Sequence, residues 1–190
     1  MLKMLRTATI LFTLLTIVTG VIYPGAMTAL GALAFPGPAN GSIVVRDGRA
    51  LGSSLLGQPF SGPGYFWGRP SATGPQAYNG GASTGTNQAA TNPALASAVV
   101  ERIARLRAAD SGNDAAVPVD LVTSSGSGLD PHISPAAAEY QVRRVARTRG
   151  LPEATIREMV AQASKGRTFG ILGEPRVNVL ELNHALDARP

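Results

Sequence analysis

Few residues in this chain have the type and spacing to do chemistry. Gly81-Ala82-Ser83-Thr84-Gly85 has the letters of the G-x-S-x-G nucleophile elbow, which works only on a sharp turn between a buried strand and a helix. Polar loop sequence flanks it on both sides, so a serine hydrolase is not expected. The run Thr123-Ser124-Ser125-Gly126-Ser127-Gly128-Leu129-Asp130-Pro131-His132-Ile133-Ser134 combines flexible glycines, hydroxyls and a following helix start, a pattern able to cradle an anion. It lacks the lysine of a phosphate-binding G-x-x-x-x-G-K-[ST] loop, and its plainer reading is a tight strand-to-helix connection. Neither His132 nor His184 has a second histidine or a cysteine at short helical spacing, so no metal is expected, and no close carboxylate pair suggests acid/base catalysis. Arg143, Arg144, Arg147 and Arg149 cluster on one helix, a basic surface suited to solvent or to an acidic partner.

The elements that must position these groups are legible from caps and periodicity. Ser42-Ile43-Val44-Val45 and Ala50 to Leu56 flank Asp47-Gly48 and predict a short hairpin. From Gly57 to Thr91 glycine and proline dominate, yet the stretch holds Tyr65-Phe66-Trp67 and Tyr78, so it is expected to pack as an ordered loop. Asn92-Pro93 and Ser134-Pro135 each place an N-cap before a helix-opening proline. The first of these helices uses Leu95, Val99, Ile103 and Leu106 and runs towards Gly112, with Glu101, Arg102, Arg105 and Arg107 opposite. The second, with Ala138, Val142, Val145 and Ala146 as its apolar stripe, runs to Gly150. A third follows Pro152 and stops at Gly166, and a short terminal helix passes through Leu182 and Leu186. Val117 to Val122 and Val177-Asn178-Val179 are read as strands. With three to four helices and few strands, the fold class is α+β.

Charge divides the chain. Only Lys3 and Arg6 precede Arg46, leaving 39 uncharged residues from Thr7 to Val45. The 145 residues from Arg46 onward carry 15 basic and 12 acidic side chains, ordinary for a water-soluble domain. The expected organisation is a transmembrane anchor over 1–34, a Pro/Gly junction over 35–41 and a soluble extracytoplasmic domain over 42–190. Pro24 should kink the anchor. Phe35, Pro36, Gly37 and Pro38 should end any helix. Ala32-Leu33-Ala34 has the small-x-small form of a signal-peptidase site, but the apolar run exceeds a typical signal core, so an uncleaved anchor is preferred over a cleaved, exported binding protein. Lys3 and Arg6 keep the N-terminus cytoplasmic, which places the domain outside and disfavours nucleic acid as a partner. The absence of cysteine excludes disulfides and thiolate chemistry.

Several separated motifs carry a resemblance. Asn40-Gly41-Ser42, Gly52-Ser53-Ser54-Leu55-Leu56-Gly57-Gln58, Tyr65-Phe66 with Gly68-Arg69-Pro70-Ser71-Ala72, and Tyr78-Asn79 resemble the C subunit of the bacterial Kdp potassium-transporting P-type ATPase. So do Val117-Pro118-Val119-Asp120-Leu121-Val122-Thr123, Ser125-Gly126-Ser127-Gly128-Leu129-Asp130, and Val177-Asn178-Val179 with Glu181-Leu182-Asn183.

The resemblance implies a single-span, non-catalytic subunit at the bacterial inner membrane. Its partners would be a potassium-channel-like subunit, an ATP-hydrolysing subunit and another small single-span subunit. It would hold no cofactor of its own, with ATP acting through the complex. Two roles follow: a stabiliser or cap over the extracellular potassium entrance, or a catalytic chaperone raising the pump subunit's affinity for ATP. The topology favours the cap. Were the domain cytoplasmic, Ser125, Ser127 and Gln141 would be reasonable nucleotide contacts. Partner-interface candidates are Tyr65, Phe66 and Arg69 in the loop, and Arg143 and Arg144 on the arginine-rich helix.

Overall fold

In the N-terminal segment, threonines are reconciled with an apolar environment by bonding to their own helix. Thr7, Thr9, Thr16 and Thr19 each donate Oγ1 to the carbonyl four residues earlier, at 2.7 to 3.0 Å. The computed structural model describes residues 1–46 and 48–189, and its first compact unit is Met1–Leu51. There α1 (Leu2–Ile17), a π-helical turn (Val18–Ile22) and α2 (Tyr23–Ala34) form one continuous 33-residue helix that contains an 18-residue stretch with a mean hydropathy of 1.9. None of its residues is buried. At about 1.5 Å per residue it spans roughly 50 Å, more than the ~30 Å of a bilayer core. Pro24 has no N–H to offer the preceding turn, and the helix accommodates it by widening just upstream.

The Pro/Gly junction does more than end the helix. Phe35 breaks it at φ −136° and ψ 59°, but Pro36 then opens a further single turn, α3 (Pro36–Ala39). This corrects the expectation that no helix survives there; proline is tolerated at a first helical position, where its missing donor costs nothing. The hairpin follows as β1 (Ile43–Arg46) and β2 (Arg49–Ser53). Gly48 has φ +75°, as a tight turn requires, while Asp47 lies outside the described residues.

The second unit is Gly52–Pro190. Its helices begin where the caps predict. Asn92 Oδ1 accepts from the Ala94 N–H (2.9 Å) to open α4 (Pro93–Ala109), and Ser134 Oγ accepts from the Ala137 N–H (3.0 Å) to open α5 (Pro135–Arg149). Gly150, left-handed at φ +66°, closes α5. Strand β3 (His132–Ile133) precedes α5. After α6 (Glu153–Ala163) come β4 (Ser164–Lys165), β5 (Arg176–Asn178) and α7 (Val179–Asp187). The three short strands form an antiparallel sheet in the order β3-β5-β4, with Ile133 and Ser164 both opposite Val177. The core joins Ile133, Val142, Val145, Ile156, Val177 and Leu182, all 2% exposed or less, across the sheet and α5 to α7.

The α+β reading with one apolar N-terminal helix therefore holds. Val117 to Val122, however, is not a strand: Val119–Leu121 is a 3-10 turn. Pro118 removes a ladder donor, and the Asp120 carboxylate turns to accept from the Ser134 N–H (2.7 Å) and hydroxyl (3.2 Å). Helix α4 ends at Ala109 and α6 at Ala163, each three residues short of the glycine expected to stop it. Val179 opens α7 instead of extending β5.

Candidate functional site

The glycine- and proline-rich loop between β2 and α4 is held by its own backbone. Asn183 on α7 uses its amide twice, accepting from the Phe66 N–H (2.8 Å) and donating to the Phe66 carbonyl (2.9 Å). Gln141 on α5 does the same for Trp67, at 2.8 and 3.1 Å. Two adjacent residues are thus paired as they would be in a sheet, with side-chain amides standing in for a neighbouring strand. The Phe66 ring between these clamps is fully buried.

The arginines of α5 complete the attachment. Arg144, 2% exposed, donates to the carbonyls of Pro63 and Tyr65 (2.9 Å for the latter) and to Gln141 Oε1 (2.6 Å), and its guanidinium lies 4.5 Å from the Trp67 ring centre. Burial pushes its pKa down to about 10, with the Asp110 carboxylate pulling the other way, so it is charged at neutral pH. Arg149 donates to the Gly64 carbonyl (2.7 Å), reaches Asp187 at 2.7 Å and lies over Tyr65. Arg143 bonds the carbonyls of Gly112 and Ser111, and Arg147 pairs with the buried Asp110 at 3.2 Å.

This geometry corrects several sequence expectations. Phe66 and Arg144 are core groups with no exposed face to offer a partner. Gln141 is 1% exposed and its amide is committed to Trp67, Ala137 and Arg144, so it has no free group for a nucleotide. Of the remaining interface candidates, Tyr65 and Arg69 are half-buried and Arg143 is exposed. Tyr65 donates its hydroxyl to Asp187 at 3.1 Å.

The Ser/Gly loop before β3 is packed against the segment that carries the elbow letters. Ser127 offers its carbonyl to the Thr84 N–H (3.0 Å) and to the Ser83 hydroxyl (3.1 Å), so Ser83 is a strut in irregular chain and no strand precedes it. Gly128 has φ +68°, and a Cβ there would sit 2.6 Å from the Thr84 carbonyl oxygen, which makes glycine obligatory for close approach. Ser125 is buried and Ser127 exposed.

Asp130 and His132 sit at the edge of this contact. Asp130 Oδ1 accepts from the His132 N–H (3.0 Å) and lies 3.1 Å from its Nδ1, while Oδ2 lies 3.5 Å from Arg69. Burial alone would raise the Asp130 carboxyl, but the His132 hydrogen bonds and the His132 and Arg69 charges outweigh it and hold the pKa below 3.8. The stability this provides is complete above the ordinary value and is lost as the pH falls through the lower folded value. The thermal midpoint should therefore drop as the pH falls below the ordinary carboxyl value of 3.8, and drop less in Asp130→Asn, as followed by circular dichroism. Parallel acid limbs in the two proteins would remove Asp130 from the account. Burial, assisted by Asp130 and opposed by Arg69, pushes the Tyr78 hydroxyl up to about 12; it donates to the Arg69 carbonyl.

A feature with little sequence signal is the turn after β4. Phe169, Ile171 and Leu172 are 88%, 76% and 57% exposed, on a turn closed by Thr168 and Leu172 and pinned at its base by Arg167 and Glu174 at 2.8 Å. Apolar residues at such spacing read from sequence as ordinary core, and only the structure shows them outward. Among the described residues, no group of three or more His, Cys, Asp or Glu side chains is placed to hold a metal ion.

The comparisons agree over nearly the whole chain. A family profile described as the K+-transporting ATPase, c chain, matches residues 5–188. A "Potassium-transporting ATPase KdpC subunit" from Methylococcus capsulatus is 59% identical over 188 residues, covering 99% of each chain. Counterparts of the same name from Polaromonas naphthalenivorans and Sorangium cellulosum are 61% and 62% identical, covering 98% of this chain and 95% and 98% of theirs. On this agreement, carried from the apolar helix through the clamped loop to α7, the chain belongs to the KdpC family, the c chain of K+-transporting ATPases.

Proposed function

We propose that this chain is a non-catalytic accessory subunit of an ATP-driven potassium uptake complex, with an extracytoplasmic domain that stabilises the assembly and caps the potassium entrance. Residues 1–34 serve as an uncleaved anchor in the bacterial inner membrane, 35–41 as a junction and 42–190 as the exported domain. The observation that carries this reading is the unburied 33-residue apolar helix, whose only charges, Lys3 and Arg6, lie at its N-terminal end. Basic residues of this kind are retained in the cytoplasm. The partners are the potassium-channel-like subunit, the ATP-hydrolysing subunit and a small single-span subunit. The chain binds no cofactor of its own, and ATP is used elsewhere in the complex. The occupied amide of Gln141 is consistent with the cap, since this residue, a nucleotide contact only were the domain cytoplasmic, has no free amide group.

Protease added to intact spheroplasts tests the orientation. A C-terminal tag lost from outside, before lysis, is the expected result. A tag protected until the membrane is opened would place the domain with the ATP-hydrolysing machinery and overturn the cap.

A further inference from the structure

A cavity of about 230 Å³ opens beside the clamped loop, between it and α4. Phe60, Leu106 and Leu121 give it apolar walls, and Arg69, Arg102 and Arg105 also line it. No carboxylate lines it. Arg102 spends one nitrogen on the Val122 carbonyl (2.7 Å), and Arg105 lies over Trp67 at 4.9 Å. Among the described residues neither has an ion-pair partner. Arg69 donates to the Ser124 carbonyl (3.1 Å) and reaches Asp130, but its Nε is buried without an acceptor. Arg102 and Arg105, two cations without a carboxylate partner among the described residues, beside apolar walls that weaken water's screening, are an arrangement that an anion completes.

We propose that this cleft is a binding site for a small oxyanion carried on a planar or apolar body, such as an aryl phosphate or aryl carboxylate, with Arg102 and Arg105 as its anion-binding groups. Guanidinium forks match the paired oxygens of either anion, and the apolar walls reward a ring or short chain attached to it. The volume lies below the roughly 300 to 1,000 Å³ of sites for larger ligands, so a single ring with one anionic group fits better than a nucleoside triphosphate. None of Ser125, Ser127 or Gln141 lines the cleft, and the site stands whichever side of the membrane the domain occupies.

Trp67 borders the cavity and is the chain's one tryptophan, so its fluorescence reads the site directly. The full-length chain in mild detergent is titrated with phenyl phosphate, benzoate and inorganic phosphate, with calorimetry as a second readout independent of Trp67. Saturable binding of phenyl phosphate or benzoate is expected, weakened about tenfold or more in Arg102→Gln and in Arg105→Gln, both of which should melt as the parent does. The tighter of the two ligands identifies the anion. Inorganic phosphate binding as tightly as phenyl phosphate would overturn the apolar part of the assignment. No saturation by about 10 mM, or unchanged affinity in both variants, would overturn the site itself.

Discussion

Replacing Arg144 by methionine is expected to destabilise the folded domain by about 3–5 kcal/mol, the usual loss when one partner is removed from a buried charged network. Methionine keeps much of the stem's volume, so the loss isolates the guanidinium. Without it, the carbonyls of Pro63 and Tyr65 and the buried Gln141 Oε1 lose a donor, and Trp67 loses the nearer of the two cations over its ring. The thermal midpoint of the full chain in detergent should fall by roughly 10–20 °C. Limited proteolysis should shift to sites between Gly57 and Thr91, because the loop is released before the helices melt. Arg144→Lys should recover only part of the loss, since an ammonium lacks the planar fork that reaches three acceptors at once. A methionine variant within about 1 kcal/mol of the parent would show that the amide clamps alone hold the loop.

Phe66→Ala should cost a comparable 3–5 kcal/mol, through lost burial and the void left where the ring is fully enclosed. This substitution also separates a core role from an interface role. An interface aromatic, once truncated, weakens assembly while the free subunit melts unchanged. A core aromatic lowers the melting temperature of the free subunit first, and any loss of assembly tracks the unfolded fraction. The buried ring predicts the second pattern, measured as the thermal midpoint of the isolated chain beside its recovery with the pump subunits. A parent-like midpoint with lost co-purification would return Phe66 to the interface.

What the sequence disclosed depended on how local the physics was. The Asn92-Pro93 and Ser134-Pro135 starts, the Gly150 stop and the long apolar helix were all readable, because caps, left-handed glycine and hydropathy act over a few neighbouring residues. The roles of the arginines were not. A run with four arginines in seven positions looks like a solvated face, and only the tertiary fold shows Arg144 turned inward on a loop some 80 residues earlier while Arg143 stays exposed. Gln141 and Asn183 were equally opaque, since nothing adjacent to an amide announces which distant backbone it will pair with. The strand misread at Val117 to Val122 shows the same limit: a short apolar run becomes a strand only if an unpaired edge lies near it, and here Pro118 and Asp120 favoured a turn. The cleft beside Trp67 was legible only in its parts, because Arg69 and Arg105 come from segments with no shared pattern.

The amide clamps also set an order of events during synthesis. Phe66 awaits a partner 117 residues later in the chain, Trp67 one 74 residues later, and Tyr65 one 122 residues later. Such distant contacts reward the chain only after long loops have closed, which slows folding. Helices α5 and α6 are near neighbours in sequence and need not wait. The aromatic segment, though made early, has no completed place until Asn183 has left the ribosome. The domain's maturation is thus timed by α7, and a ribosome stalled before that helix would leave Tyr65 and Phe66 without their partners Asp187 and Asn183.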